Sequence, residues 1–319
     1  MEGKNLSPIN KKIVKRHFDR HAGTYDQFAI IQRYAAEQLL RMLDASVTNA
    51  SASMRILEIG CGTGYVTERL AVQYPQARVV ALDMAPAMLQ ATRQRLHDHH
   101  GENVRSRIEY VCADAEEWVQ QFPQMCQNSH VSKVSIDSGK FDLIISSAAF
   151  QWFNEPRETA MAYWRLLNPG GYAAFSTYGP DTFTELHQSF AEAEAALGLP
   201  RHRHGQRFPA LSDWARWQSE AGLEPLWMQE EHAVEWHSSV DAFLRAVQKT
   251  GASSASTSPG SGRLSRALLR NMKAYYERHF GAEQTGEVNH DARIQATSHL
   301  LWVGGMKDHG MSVKQRSRK

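Results

Sequence analysis

Hydrophobic positions change their period along this chain. Between residues 11 and 45 they recur every three or four places: Ile13, Val14 and Phe18, then Ile30, Ile31, Tyr34, Leu39, Leu40 and Leu43. That spacing lines one face of a helix, and Ala22-Gly23-Thr24 predicts a turn that splits the stretch in two. Residues 46–53 are polar and read as a linker. Beyond them come short unbroken apolar runs at 54–59, 78–82, 108–111, 141–146 and 172–176. Runs without polar alternation suit strands covered on both faces. Helical periodicity fills the gaps, at 65–73, 87–97, 115–121 and 157–167. Strands alternating with helices at this spacing predict βαβ units, hence an α/β fold with a mostly parallel sheet and helices on both faces. Asn168-Pro169-Gly170-Gly171 is expected to stop a helix and turn into a strand.

After residue 178 the alternation ends. Helices are predicted at 181–197, 212–221, 241–249 and 264–279, and two more strands at 227–236 and 298–303. A Ser/Gly-rich loop covers 251–262, a polar insertion 124–140, and the last residues, 307–319, are basic. The expected organisation is a helical cap over 1–50, a core over 51–180, and the rest of the sheet over 181–306. Lid-like insertions are expected at 181–221 and 238–290, with a tail over 307–319.

Composition narrows the class without naming it. Of 319 residues 42% are hydrophobic and 22% charged, which fits a globular chain rather than a disordered or rod-like one. Lys+Arg 36 against Asp+Glu 34 leaves a formal charge of +2, so there is no global signature for nucleic acid. No run approaches the ~18 apolar residues of a membrane span. The first residues lack the apolar stretch of a secretory signal. Cys61, Cys112 and Cys126 are an odd, sparse set, which argues for free thiols in a reducing, cytoplasmic setting.

The sharpest motif is Glu58-Ile59-Gly60-Cys61-Gly62-Thr63-Gly64-Tyr65, between the first predicted strand and its helix. Glycines at 60, 62 and 64 let the backbone turn sharply and approach a ligand, in front of a helix N-terminus. A dinucleotide fingerprint needs G-x-G-x-x-G, and Tyr65 stands where its third glycine belongs; no Gly-Lys-Ser/Thr follows, so a P-loop is excluded. Glu58 is unwelcome beside a pyrophosphate and suits a ligand bearing an amino group. Asp83 ends the second predicted strand, Asp114 the third, and Ser146 opens Ser146-Ser147-Ala148-Ala149-Phe150-Gln151-Trp152 after the fourth. Carboxyl ends of parallel strands are where open α/β sheets bind ligands. Taken singly, Asp83 is also a fitting N-cap for a helix opened by Pro86, and Asp114 for one over 115–121.

As a set these residues resemble class I S-adenosylmethionine-dependent methyltransferases, whose Rossmann-like sheet has seven strands. The resemblance implies a cofactor loop at Gly60, Cys61, Gly62 and Gly64, with Glu58 beside it. It implies ribose contacts from Asp83 and Met84, adenine contacts from Asp114 and Ala115, and a place for Ser146 over the methyl-donor crevice. S-adenosylhomocysteine would be the spent cofactor, and no metal is expected.

A narrower resemblance covers nearly the whole chain. Residues 11–28 (KKIVKRHFDRHAGTYDQF), 146–154 (SSAAFQWFN), 173–190 (AAFSTYGPDTFTELHQSF), 205–208 (GQRF) and 248–254 (QKTGASS) look like the malonyl-acyl-carrier-protein O-methyltransferases of biotin synthesis. That implies methylation of the free carboxylate of a malonyl thioester, on carrier protein or coenzyme A, so that it can be elongated toward pimelate. A carboxylate is already ionised at neutral pH and needs no strong base. It needs positioning and exclusion of water. Arginine is the best fork for a carboxylate. Tyr25, in the resembled Thr-Tyr-Asp motif, and Arg207, in Gly-Gln-Arg-Phe, are therefore the candidate catalytic residues, with Tyr178 a further candidate. Two basic stretches are candidates for steering an acidic carrier: Lys11, Lys12, Lys15 and Arg16, and the run from Arg201 to Arg207. His97, His99 and His100, like His202 and His204, are expected on a solvated surface. Trp152, Phe153, Trp164, Trp214 and Trp217 are expected to pack. The other readings are a related small-molecule methyltransferase and a cofactor-binding assembly factor of respiratory complexes.

Overall fold

The computed structural model describes residues 8–47, 53–127, 140–202, 204–250, 265–282 and 294–308. The Ser/Gly-rich loop at 251–262, most of the insertion at 124–140 and nearly all of the tail lie outside the described residues. The chain forms two compact units.

One unit holds residues Gln32–Thr177, Ala210–Gln229 and Leu301–Lys319. Its strands are β1 (Arg55–Ile59), β2 (Arg78–Asp83), β3 (Ile108–Cys112), β4 (Phe141–Ser147), β5 (Leu167–Tyr178), and the parts that fall here of β6 (Leu223–His237) and β7 (Ile294–Lys307). Among the described residues they make a seven-stranded sheet in the order β3-β2-β1-β4-β5-β7-β6. The β1–β2, β1–β4, β2–β3 and β4–β5 pairs are parallel. The chain works outward from β1 to β3, then restarts on the other side with β4. The β1/β4 boundary is therefore a topological switch point.

Consecutive residues of β1 and β2 are buried, such as Ile56, Leu57, Val79, Val80 and Leu82. Only a sheet covered on both faces buries both pleat directions. The covering helices are α3 (Ile30–Ser46), α4 (Tyr65–Gln73), α5 (Pro86–His99), the short α6 (Glu102–Arg105), α7 (Ala115–Gln127), α8 (Pro156–Arg165) and α10 (Leu211–Glu220). Phe150, Phe175 and Trp214 meet with ring centroids 4.6–5.6 Å apart, inside a core that also holds Trp164, Phe141 and Leu301. The five aromatics expected to pack are all buried.

One expectation is corrected here. Asn168-Pro169-Gly170-Gly171 is no turn before β5 but a bulge inside it. The register with β4 jumps from Phe141↔Leu167 to Leu143↔Tyr172. Gly170 has φ 76°, and a Cβ on Gly171 would stand 2.9 Å from the Asn168 carbonyl oxygen. The bulge is pinned by Asp142, which accepts from Asn168 Nδ2 at 2.7 Å and from the Arg55 amide at 2.8 Å. β6 and β7 also run longer than predicted, reaching Leu223–His237 and Ile294–Lys307.

The other unit holds residues Met1–Ile31, Tyr178–Pro209 and Glu230–Leu300. It contains α1 (Lys11–His21), a 3-10 turn at Ala22–Thr24, α2 (Tyr25–Phe28), α9 (Thr184–Ala196), α11 (Val240–Lys249) and α12 (Arg266–His279). The predicted turn at Ala22-Gly23-Thr24 is present. Asn10, Ser239 and Ser265 cap α1, α11 and α12 by accepting first-turn amides. Phe190, Phe243, Leu268, Met272, Tyr276 and Ile294 form its core. The buried Glu185 carboxylate is satisfied by the Thr297 amide and hydroxyl. The Tyr276 hydroxyl donates to the Gln295 carbonyl at 2.8 Å.

Candidate active site

The loop after β1 is built from constraints that only glycine meets. Gly60, Gly62 and Gly64 have φ of 71°, 55° and 85°, a left-handed backbone costly to other residues. A Cβ on Gly60 would lie 2.5 Å from the Ala149 Cβ, and one on Gly64 2.7 Å from Thr92 Cγ2; at Gly62 it would meet nothing within 4 Å. Gly60 and Gly64 are thus fixed by packing as well as conformation. Gly62 is fixed by conformation alone and turns its bare side to open space.

Neighbouring strands and helices hold this loop. Amides of Gly60 and Cys61 donate to the Leu82 carbonyl at 2.8 and 3.0 Å. Asp83, 8% exposed at the end of β2, accepts from Gly62 N through Oδ2 at 2.9 Å and from Ala85 N through Oδ1 at 2.8 Å. Ala85, not Asp83, is the N-cap residue of α5, so the capping role that Asp83 could have had alone is not the one observed. Thr92 donates to the Gly62 carbonyl at 2.8 Å, and Arg95 Nε to that of Thr63 at 2.9 Å. Thr92 and Arg95 belong to the polar run Thr92-Arg93-Gln94-Arg95 of α5, and no sequence signal singles them out from it.

Glu58 sits beneath the loop, 2% exposed, and its Oε2 accepts the Thr67 hydroxyl at 2.6 Å. Burial, and then the charge of Asp83, push its pKa up to about 8 against the opposing Thr67 bond. The Cys61 thiol is likewise pushed up, by burial first. Ser146, at the end of β4, donates to the Ile59 carbonyl at 2.9 Å and ties β4 to β1 at the switch point. Next to it Ala148 takes φ 52°, an uncommon conformation for a residue with a Cβ. It is held by its amide on the Ser176 carbonyl at 3.0 Å and by Gln151 Nε2 on its own carbonyl at 2.6 Å.

Asp114 caps α7, its Oδ1 accepting from the Glu116 amide at 2.9 Å; Ala115 follows, its carbonyl taking the Tyr163 hydroxyl at 2.8 Å. Met84 is half-buried beside Asp83. Glu58, the glycine loop, Asp83, Met84, Asp114, Ala115 and Ser146 all fall in the sheet unit. Tyr25 and Arg207 fall in the other. Tyr25 opens α2, half-buried, with Phe18 edge-on at 6.2 Å. Arg207 is exposed in the irregular segment between α9 and α10, ahead of Phe208, whose ring lies 5.9 Å from that of Tyr178.

The histidine clusters lie at the surface as expected, with His97, His99 and His202 exposed and His100 and His204 partly buried, but they have acidic partners the sequence did not name. His99 and His100 both bond Glu68 Oε1, at 2.8 and 2.9 Å, and His202 and His204 both engage the buried Glu194. Each pair is tethered by an acidic residue, Glu68 from 31 and 32 positions away and Glu194 from 8 and 10. A third group joins His232 Nε2 and His299 Nδ1 to Asp181 Oδ2 at 3.0 and 3.5 Å. The two rings stack at 4.2 Å and 17°. Asp181, His232 and His299 each offer a ligand atom within 4.8 Å of the others, a spacing that could hold a metal ion.

A parallel sheet with an E-x-G-x-G-x-G loop at its switch point, and an acid from β2 locked to that loop, is the arrangement of class I methyltransferases. The methyltransferase domain family matches residues 28–227. A candidate methyltransferase of known structure from Bacillus halodurans C-125 superimposes with a TM-score of 0.54 at 16% identity, over 85% of this chain and 99% of that one. Sequence kinship is closer. The malonyl-[acyl-carrier protein] O-methyltransferase of Paenibacillus sp. (strain JDR-2) is 36% identical over 272 residues, 85% of this chain and 92% of that protein. The protein of the same name from Brevibacillus brevis is 35% identical over 279 residues, 86% and 91% respectively. The chain belongs to the malonyl-[acyl-carrier protein] O-methyltransferase family.

Proposed function

We propose that this chain methylates the free carboxylate of a malonyl group carried on acyl-carrier protein, with S-adenosylmethionine as donor, giving the malonyl methyl ester that starts pimeloyl synthesis for biotin in the cytoplasm. The observation that carries this reading is kinship along most of the chain with proteins named for that reaction. The glycine loop supports it: Gly62 has open space on its bare side, room for a cofactor to approach the backbone. Asp83 would take the ribose hydroxyls, with Met84, Asp114 and Ala115 toward the adenine and Glu58 balancing the ammonium charge. The cofactor supplies an electrophilic methyl on sulfur. A malonyl oxygen forms the new O–CH₃ bond as the S–CH₃ bond breaks, and S-adenosylhomocysteine leaves. No proton moves, so the residues that handle substrate have to orient and neutralise rather than abstract. Tyr25 and Arg207 are proposed for that task.

The acidic carrier is proposed to dock on α1. Lys12, Lys15, Arg16 and Arg20 are exposed there, and among the described residues none of them makes an ion pair. In the second basic stretch Glu194 already engages His202 and His204. The pKa of His17 is lowered, by burial first and then by His21, Arg20 and Arg16, as expected in a dense positive field.

The deciding experiment is mass spectrometry of malonyl-carrier incubated with the protein and S-adenosylmethionine. A gain of one methyl, absent with acetyl-carrier, is expected; cofactor binding without turnover would point to an assembly factor instead. Tyr25→Phe should lower kcat while leaving cofactor affinity and the pH profile near neutrality unchanged. Loss of cofactor binding in that variant would make Tyr25 a cofactor or packing residue.

A further inference from the structure

Glu194 lies in the last turn of α9, and its side chain is 2% exposed. A carboxylate taken out of water is costly unless it is well paired. Here the pairing comes almost wholly from one stretch of irregular chain. The His202 amide donates to Oε2 at 3.0 Å. His204 Nε2 lies 2.8 Å and His202 Nδ1 3.5 Å from Oε1. These contacts outweigh burial, which alone would raise the pKa of Glu194, and leave it lowered. The same residue's carbonyl accepts the Leu199 amide at 2.9 Å, which folds the chain back at the end of α9.

One turn earlier on α9, the Phe190 ring stacks on His204 with centroids 3.9 Å apart at 18°. Gly205 follows with φ 108°, and a Cβ there would sit 2.9 Å from His187 Cε1. Three residues of one face of α9, His187, Phe190 and Glu194, thus grip His202, His204 and Gly205. The next charged residue is Arg207, and Phe208 beyond it meets Tyr178. Arg207 is exposed itself, yet it is bracketed by a fixed point on each side.

We infer that Glu194 is a positioning residue for substrate recognition: through His202 and His204 it presets the segment that carries Arg207, so that the guanidinium meets the malonyl carboxylate without first ordering a loop. This rests on the proposed role of Arg207. Preorganisation of this kind appears in substrate affinity, because an unordered loop must be fixed at each binding event.

The test is a double-mutant cycle in steady-state kinetics with malonyl-carrier. Glu194→Gln should raise KM about tenfold, the scale of one charge-assisted hydrogen bond lost, with a smaller change in kcat and unchanged S-adenosylmethionine affinity by calorimetry. In an Arg207→Ala background Glu194→Gln should add nothing, since its effect passes through Arg207. Additive effects in the cycle, or wild-type KM in Glu194→Gln, would overturn the inference while leaving the arginine reading intact. Wild-type KM in Arg207→Ala alone would remove both. Should Glu194→Gln fail to fold, His204→Gln keeps the buried carboxylate and its bond to the His202 amide but loses the stack on Phe190; the same KM rise and the same non-additivity are expected of it.

Discussion

The glycine loop at 60–64 and the segment at 199–208 solve one problem in opposite ways. Each must hold irregular backbone still enough to present polar groups to a ligand. The glycine loop is held from several sides at once: its amides reach the Leu82 carbonyl and the Asp83 carboxylate, and its carbonyls take the side chains of Thr92 and Arg95. The 199–208 segment depends on one buried side chain, Glu194, and one stacked pair, Phe190 with His204. The first device is spread over a sheet; the second is concentrated at a point. Changes in the loop should therefore damage fold and cofactor binding together, whereas changes at the segment should alter substrate affinity.

The largest effect is expected at Gly60. Alanine there adds a left-handed strain of ~1–2 kcal/mol and an overlap with Ala149 that forces a shift costing ~1–3 kcal/mol. Gly60→Ala should lower Tm clearly and abolish detectable cofactor binding. Gly62→Ala meets no such overlap and should keep most of its Tm while still losing cofactor affinity, because its Cβ occupies the open side. Thermal melts beside calorimetry separate the two. Equal Tm losses would mean that Gly62 is a packing glycine as well.

Next comes Asp83→Ala. It removes an acceptor from the Gly62 and Ala85 amides as well as the proposed partner of the ribose hydroxyls. A loss of about 2–3 kcal/mol in S-adenosylmethionine affinity is expected, the scale for charge-assisted bonds. Unchanged affinity in a folded variant would restrict Asp83 to holding the loop.

How much of this was legible follows from where the constraints lie. β1, β2 and α4 were readable because apolar runs and glycines sit next to what they determine. The bulge at 168–171 was misread as a turn, since Asn-Pro-Gly-Gly suits either; only the partner strand, with Asp142 and its contacts, decides. The acidic partners of the histidine pairs were not legible for a related reason. His99 and His100 find Glu68 across 31 and 32 positions. His202 and His204 find Glu194 within 8 and 10, but around a turn with no periodicity to extrapolate. Asp83 could be placed at a strand end by pattern, while its hold on Gly62 needed coordinates.

A pH effect of intermediate size is expected from Glu58. Its pKa rises from 4.5 unfolded to about 8 in the fold, chiefly through burial. A raised folded value means that its favourable contribution is complete below the unfolded pKa and is lost as pH climbs through the folded one. Wild-type Tm should fall between about pH 5 and 9 more steeply than that of Glu58→Gln, whose amide imitates the protonated acid at every pH. Parallel curves would mean that Glu58 is ionised throughout, with its charge met some other way.

The smallest effect is expected on α1, and its size is part of the argument. Lys15 and Arg16 are exposed, so each contributes to carrier docking only through a screened field, ~0.2–1 kcal/mol per exposed charge pair. Reversing both, Lys15→Glu with Arg16→Glu, should raise KM for malonyl-carrier several-fold at low ionic strength, mostly by slowing association. The difference should shrink as salt brings the Debye length below about 10 Å. Malonyl-pantetheine, which has the reactive end but no acidic carrier, should show no change. That substrate separates this surface from the Glu194 segment: the α1 variant should affect only the carrier-bound substrate, and Glu194→Gln should affect both. If the reversed variant is as slow on malonyl-pantetheine as on malonyl-carrier, α1 acts on the catalytic step, and the carrier must dock elsewhere.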